Sequence, residues 1–169
     1  HLTGEEITFF RFLLAGFVLL PFIISQGIKD GFRMTPYLSI HFFRGILLFS
    51  GMVLWCYGLQ WVPISTAIVL NYSIPLFTLI LSIPILKEKV SKERLWTTVI
   101  GFIGIIIVLN PNDISFDKRS CIILISSFLF ALLDVFNKKY VCKESMLNML
   151  FYTALFTCVL SAYPAVRHY

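Results

Sequence analysis

One long stretch in the middle of this chain carries no charged residue, and it predicts the class of the protein. Gly45–Leu86 spans 42 residues without Asp, Glu, Lys or Arg. A helix needs about 20 apolar residues to cross a bilayer, so this stretch is long enough for two crossings. The sequence QWVP at positions 60–63 interrupts it. Because proline can begin a helix and tryptophan favours the membrane–water interface, the pattern predicts a helical hairpin buried in lipid.

Hydropathy and turn-forming residues divide the whole chain into six apolar segments of this kind. The joints between them contain glycine, proline or clustered charges, as in KEKVSKER at positions 87–94. We therefore expect an all-α fold, a polytopic membrane helix bundle with six transmembrane helices. The predicted spans are Ile7–Ser25, Tyr37–Leu59, Ile64–Leu86, Leu95–Asn110, Cys121–Asn137 and Met146–Val166.

Composition and charge agree with a membrane protein and predict its orientation. The chain is 58% hydrophobic and 14% charged, against roughly 25% charged residues in soluble domains. Nine of its 14 lysines and arginines fall in the joints after the first, third and fifth spans, and three fall on the opposite side. Since cytoplasmic loops carry an excess of basic residues, those joints are predicted to face the cytoplasm. The net charge of +5 is explained in this way, and no nucleic-acid partner is expected.

The sequence lacks the short motifs of common catalytic sites. No nucleotide-binding loop, nucleophile elbow or HExxH motif is present, so neither an enzyme nor a cofactor is predicted. The cysteines are widely spaced, without the patterns of disulfide or metal frameworks, and no metal site is expected. We interpret them as small apolar helix residues. They are Cys56, Cys121, Cys142 and Cys158.

Ionisable residues inside the predicted spans are the first candidates for function, because each is costly in lipid unless it is paired or hydrated. Asp134 is either an intrahelical partner of Lys138 or a carboxylate that faces a central cavity. Arg11 either extends to the outer interface or contacts a substrate carboxylate. Arg44 and His41 share one helix face, where they line the cytoplasmic mouth or meet lipid headgroups rather than bind a metal.

The third span combines polar, aromatic and proline residues near its middle. Asn71 and Tyr72 come shortly before Pro75. A proline inside a helix frees a backbone carbonyl and bends the helix, and broken helices of this kind line the cavities of transporters. The alternative is a packing kink without ligand contact. Trp55 and Tyr72 offer aromatic faces for a cationic or planar ligand, although single aromatic residues also serve membrane packing.

Several motifs, in this order, resemble one known family. They are EITFFRFLLAGFVLLP, TAIVLNYSIPLFTLILSIPILKEKV and WTTVIGFIGIIIVLNP. Pro75 of SIPLF, Glu88 of LKEKV and the GFIG glycines Gly101 and Gly104 stand where the EamA repeat of the drug/metabolite transporter superfamily has them. The two glycines lie on one side of a helix, and we expect them to allow close helix–helix contact.

The resemblance implies ten helices arranged as two inverted repeats of five. Residues 1–111 then form a first EamA repeat that lacks its opening helix. Residues 112–169 form a linker and the first two helices of the second repeat. The chain begins at His1 without a signal-peptide pattern, so it is interpreted as the interior of a longer protein. A carrier whose site lies between two repeats needs both, and this chain by itself is not expected to transport.

A narrower resemblance concerns the substrate. FFRGILLFSGMVLWCYGL and LDVFNKKYVCKESMLNMLFYTAL are similar to the rickettsial S-adenosylmethionine uptake transporters. This implies a secondary carrier of the bacterial inner membrane that imports S-adenosylmethionine, with exchange against S-adenosylhomocysteine as a driving mode. The alternatives are an exporter of amino acids or other metabolites and drugs, and a membrane fragment that does not transport. The expected partners are the lipid bilayer, a small-molecule substrate and a second copy in a homodimer.

The chemistry of this substrate suggests roles for the candidate residues. S-adenosylmethionine carries a sulfonium, an amino-acid zwitterion and an adenine. A carboxylate suits the sulfonium, an arginine suits the substrate carboxylate, and an aromatic ring with an amide nearby suits the adenine. The predicted substrate-binding residues are Asp134, Arg44, Asn71, Tyr72, Trp55 and Arg11.

Overall fold

The computed structural model describes residues 4–25, 37–108 and 119–167, and this part of the chain contains helices and no strand. The all-α prediction is therefore confirmed. Each predicted span coincides with helical structure, and the third span is divided into two helices. The helices are α1 (Gly4–Ser25), α2 (Leu38–Gly58), α3 (Ile64–Asn71), α4 (Ile74–Leu86), α5 (Lys92–Val108), α6 (Ser120–Tyr140) and α7 (Met146–Arg167).

Three helical segments are long and apolar enough to cross a membrane. They are Leu38–Gly58, Ile64–Leu86 and Ser120–Tyr140. Two further apolar stretches are shorter, Ile7–Phe22 in α1 and Met146–Ala162 in α7. Within the described residues α5 falls in neither group; it has 17 residues and begins with the charged sequence KER.

The helices bury small polar side chains and expose large apolar ones. Hydroxyl residues with no exposed surface are Thr8, Thr66, Ser126, Ser127, Thr157 and Ser161. Large apolar residues with more than 60% of their surface exposed include Phe17, Val18, Ile64, Trp96 and Ile107. In lipid, polar groups must find partners inside the protein, whereas apolar side chains can face the acyl chains. The distribution agrees with the predicted membrane bundle.

The third predicted span is interrupted where the sequence places a proline. α3 ends at Asn71, and α4 begins at Ile74 with Pro75 in its first turn. Pro75 has no N–H to donate to the carbonyl of Asn71, so the helical hydrogen-bond ladder stops there. Tyr72 and Ser73, between the two helices, keep right-handed helical backbone angles. The proline therefore divides the span without reversing the chain.

Packing divides the chain into two compact units, each described by itself. The first unit contains His1–Val53 and Phe136–Tyr169, and the second contains Leu54–Val135. In the first unit α1 packs along α7, and in the second α4 contacts α5. These units do not test the boundary between residues 111 and 112 that was expected from the repeat, and that boundary stays a prediction.

An apolar cluster forms the core of the second unit. Trp55 and Leu124 pack against this cluster. Gly58, near the end of α2, contributes by having no side chain, because a Cβ there would overlap the side chain of Ile123. The cluster joins α3 to α6 through the buried residues Val62, Ala67, Leu70 and Ile123.

A close helix crossing holds the first unit together. A Cβ at Gly45 of α2 would stand 2.7 Å from the Cβ of Phe156 and 3.5 Å from the backbone nitrogen of Thr157 in α7. By contrast, a Cβ at Gly101 or Gly104 would meet no atom within 4 Å. The expectation of close helix contact at those two glycines is therefore wrong for the part of the chain that the structure describes.

We expect Gly45→Ala to destabilise the protein by about 1–3 kcal/mol, because the added methyl group must displace Phe156 or the α7 backbone. Thermal unfolding in detergent measures the change. Gly104→Ala is the matched control, since the same methyl group there meets open space. Alanine forms helix better than glycine, so the control should keep the wild-type stability or gain up to about 1 kcal/mol. Equal behaviour of the two variants would contradict the close crossing.

Candidate functional site

A cavity beside the break between α3 and α4 contains the acidic residue that the sequence indicates. It lies in the second unit and has a volume of about 280 Å³. Asp134 of α6 and Arg94 of α5 both line it, so the cavity is bordered by one acidic and one basic residue. The other lining residues are Ile74, Pro75, Thr78, Leu79 and Thr98.

The first turn of α5 positions Arg94 at this cavity. The hydroxyl oxygen of Ser91, just before the helix, accepts a hydrogen bond from the backbone N–H of Arg94 at 3.3 Å, which caps the helix. The hydroxyl groups of Thr97 and Thr98 donate to the carbonyl of Arg94 at 3.0 and 2.8 Å. These bonds hold Arg94 at the start of the helix, where it lines the cavity.

Two polar groups at this cavity lack a protein partner among the described residues. The hydroxyl oxygen of Thr78 is shielded from solvent and makes no hydrogen bond. The alternative interpretation of Asp134, an ion pair with Lys138, is not found in the described part of the chain. Buried polar groups are nearly always hydrogen-bonded, and an ionisable residue inside a membrane span needs a partner. These groups therefore suit a polar or cationic ligand.

A second cavity adjoins the first and brings in a predicted aromatic residue. Its volume is about 270 Å³, and Pro75 and Thr98 line both cavities. Tyr72, at the helix break, lines the second cavity with 47% of its surface exposed. Tyr72 and Asp134 thus lie at two cavities with a common wall. Helix α5 contributes the rest of the second cavity through Thr97, Thr98, Gly101 and Phe102.

The structure gives the other two predicted residues of this unit packing contacts. Asn71 ends α3, where the hydroxyl group of Ser127 donates to its side-chain oxygen at 3.5 Å. The same hydroxyl group approaches the carbonyl of Leu70 at 3.4 Å, close to the helix break. Trp55 packs against the apolar cluster of the second unit. A substrate-binding role for Asn71 or Trp55 stays a prediction.

In the first unit, Arg44 of α2 is almost completely buried, with 3% of its surface exposed. Its Nε–H donates to the side-chain oxygen of Asn137 in α6 at 2.8 Å. Its Nη1 donates to Nδ1 of His41 at 3.0 Å and reaches the carbonyl of Met149 in α7 at 3.5 Å. Because a buried guanidinium is costly without partners, these contacts hold α2, α6 and α7 together.

His41 continues this network to the joint between α6 and α7. Since its Nδ1 accepts a hydrogen bond from Arg44, the ring proton lies on Nε2. Nε2 lies 2.6 Å from a carboxylate oxygen of Glu144. The imidazole also stacks on the ring of Tyr152, with 5.2 Å between the centroids. The buried cation is thereby linked to an acid through a neutral histidine.

Sequence reasoning missed Arg94 and Glu144 as site residues. Both fall in joints with several charges, KEKVSKER and KKYVCKE, where the order of residues does not indicate which charged residue packs against the helices. Arg11, the remaining predicted residue, is exposed on α1, and its contact with a substrate stays a prediction. In the described segments, no group of three His, Cys, Asp or Glu could hold a metal ion.

Comparisons with known proteins identify relatives over the whole chain. The sequence profile of the EamA-like transporter family matches residues 1–110. The S-adenosylmethionine uptake transporters of Rickettsia bellii and Rickettsia prowazekii are each 43% identical to all of this chain, which spans 57% of their length. A riboflavin transporter of Vibrio cholerae is 32% identical over 91% of the chain and 52% of its own length. No solved structure matches the chain.

The family match covers more than half of the chain and agrees with the all-helical fold. Together with the bacterial relatives and the apolar helices, it places the protein in the bacterial inner membrane as a multi-pass protein. These relatives are named as transporters. The chain belongs to the EamA-like transporter family.

Proposed function

We propose that this chain is part of a secondary carrier that imports S-adenosylmethionine, in exchange for S-adenosylhomocysteine, and that it has no catalytic activity. The observation that carries the proposal is the cavity lined by both Asp134 and Arg94. S-adenosylmethionine needs both charges, because it combines a sulfonium with an amino-acid zwitterion. The proposal is supported by relatives that bear the name of S-adenosylmethionine uptake transporters and are 43% identical over the whole chain.

The two charged residues take separate parts of the substrate. In this proposal Asp134 holds the cationic sulfonium or ammonium group, and Arg94 holds the carboxylate, to which a guanidinium can donate two parallel hydrogen bonds. The unpartnered hydroxyl group of Thr78 adds a hydrogen bond in the same cavity. Arg94 takes the role predicted for Arg44 or Arg11, because it shares the cavity of Asp134.

In this proposal an aromatic side chain stacks on the adenine of the substrate. Tyr72 is the stronger of the two predicted aromatic candidates, because it lines the adjoining cavity, whereas Trp55 packs against the core of the unit. Asn71, next to Tyr72 at the helix break, is the proposed hydrogen-bond partner of the base. Broken helices near the middle of a membrane span provide such mixed polar and aromatic sites in transporters.

The transport cycle follows the organisation expected for the family. Residues 1–111 are proposed as the first repeat and residues 112–169 as the start of the second. In carriers built from inverted repeats, one repeat rocks against the other around a fixed site and exposes it to each side in turn. Substrate binding and release then need no covalent step by the protein.

A second substrate class rests on one observation, the 32% identity with a riboflavin transporter. Riboflavin has a planar ring system for stacking but no cationic group for Asp134. Export is a further alternative, because one fold can serve both directions. Competition between riboflavin and S-adenosylmethionine tests the first alternative, and the direction of net substrate flux tests the second.

The test measures uptake of labelled S-adenosylmethionine by a bacterial host without its own uptake system, which expresses the full gene product. We expect saturable uptake that S-adenosylhomocysteine inhibits and riboflavin does not. Cells that carry the empty vector are the control. Uptake of riboflavin alone, or net efflux from preloaded cells, would contradict the proposal.

We expect Asp134→Asn to reduce uptake at low substrate concentration by about tenfold or more, because a charge-assisted hydrogen bond contributes about 1.5–3 kcal/mol. The matched control is Glu93→Gln, which changes an exposed acid of the same unit that lines neither cavity. Immunoblots of the membrane fraction correct for abundance. If the Asp134→Asn variant takes up substrate at the wild-type rate, the assignment of Asp134 to the proposed site is wrong.

The substitution Arg94→Gln tests whether Arg94 binds the carboxylate of the substrate. We expect the KM for S-adenosylmethionine to rise about tenfold or more, for the same reason as above. Inhibition by decarboxylated S-adenosylmethionine, which lacks this carboxylate, should be the same in the variant and the wild type. Lys92→Gln, two residues earlier in α5 and outside both cavities, is the control. Equal losses for both ligands would contradict the assignment.

A further inference from the structure

Helix packing does not explain the glycine at position 101 of α5. The GFIG motif predicts close helix–helix contact there, but a Cβ at Gly101 would meet no atom within 4 Å among the described residues. Glycine is a poorer helix former than alanine, so it weakens the middle of α5 without a gain in packing. Gly101 does, however, line the cavity that contains Tyr72.

One face of α5 forms a wall of this cavity. Thr97 and Gly101 are four residues apart, as are Thr98 and Phe102, so these residues lie on the same side of the helix. All of them line the cavity, whose volume is about 270 Å³. Because Gly101 has no side chain and open space lies where its Cβ would stand, a large side chain there would occupy part of the cavity.

Two aromatic residues border the same cavity as Gly101. They are Tyr72, at the helix break, and Phe102 of α5. Aromatic side chains stack on the flat faces of nucleic-acid bases, and the adenine is the planar part of the proposed substrate. The charged part of that substrate is assigned to the adjoining cavity of Asp134, which shares a wall with this one. The two cavities therefore suit the two chemically different parts of one molecule.

The hydroxyl groups at this cavity offer acceptors to a ligand. Thr97 and Thr98 donate their hydroxyl hydrogens to the carbonyl of Arg94 at 3.0 and 2.8 Å. A hydroxyl group has one hydrogen but two lone pairs, so each oxygen can still accept a hydrogen bond. The exocyclic amino group of adenine donates hydrogen bonds, whereas the oxo group of hypoxanthine at the same ring position accepts them. The cavity therefore favours a base that carries an amino group.

We propose that Gly101 determines the size of the substrate, because it leaves space for an amino-bearing purine beside Tyr72 and Phe102. This role rests on the proposed function and makes the cavity the adenine subsite. The charged groups of the substrate belong to Asp134 and Arg94, so Gly101 acts on the base alone. A larger residue at position 101 should exclude the base and still admit a sulfonium amino acid that has none.

The test measures binding of S-adenosylmethionine and of S-methylmethionine to the purified full gene product in detergent. S-methylmethionine has the same sulfonium and amino-acid groups, with a methyl group in place of the adenosyl group. We expect Gly101→Leu to weaken binding of S-adenosylmethionine by about tenfold or more, since a pocket that is too small by a methylene group or more discriminates to this extent. Binding of S-methylmethionine should be unchanged. Gly101→Ala adds a single methyl group and should have a smaller effect.

Gly16→Leu is the matched control for the leucine variant. It makes the same substitution in α1 of the first unit, where a Cβ would also meet no atom within 4 Å in the described part of the chain. We expect this variant to bind both sulfonium compounds as the wild type does. A loss of S-adenosylmethionine binding equal to that of Gly101→Leu would overturn the assignment of Gly101 to the base.

S-inosylhomocysteine tests the amino group of the base. It differs from S-adenosylhomocysteine by an oxo group in place of the amino group, and we expect it to bind more weakly by about threefold or more. Equal binding of these two compounds would overturn the inference, as would unchanged binding of S-adenosylmethionine by Gly101→Leu.

Equal losses of both sulfonium compounds in Gly101→Leu would also overturn the inference, because the glycine would then serve the packing of α5 and not the base. Failure of the wild type to bind S-adenosylmethionine is a different result. It would contradict the proposed function itself, on which the role of Gly101 rests.

Discussion

The absence of water inside a bilayer is the constraint on which the rest of this structure depends. Each polar group that leaves the aqueous phase must find a partner within the protein. Hydroxyl groups meet this need locally, as where Ser50 donates to the carbonyl of Ile46 at 2.7 Å. Thr153 and Thr157 likewise donate to the carbonyls four residues earlier at 2.7 Å. Small polar residues can therefore be buried at little cost, while the large apolar residues face outward.

Charged residues cannot be satisfied so locally, and the two units treat them differently. In the first unit, Arg44 binds a carbonyl oxygen, an amide oxygen and a neutral imidazole that contacts Glu144. In the second unit, Asp134 and the hydroxyl group of Thr78 border a cavity without such partners. A satisfied network is typical of a structural role, whereas unsatisfied groups at a cavity are typical of a ligand site.

Hydropathy was a reliable guide to the helices and a poor guide to their contacts. The third predicted span has the same ends as the helical segment Ile64–Leu86, and its break occurs at the predicted proline. The small residues at Gly101 and Gly104 permit a close approach but do not require one, and that expectation was wrong among the described residues. The close crossing occurs instead at Gly45, for which no motif existed.

The sequence by itself determined the class, the spans and their break, because these depend on apolar length and on the missing N–H of a proline. It also indicated Asp134, since an acid within a span is conspicuous. Only the tertiary structure decided which partners meet. The hydrogen bond from Arg44 to Asn137 joins residues 93 positions apart, and Arg94 reaches the cavity of Asp134 from a charged joint. Such pairs depend on how helices pack, and no local pattern of residues encodes that geometry.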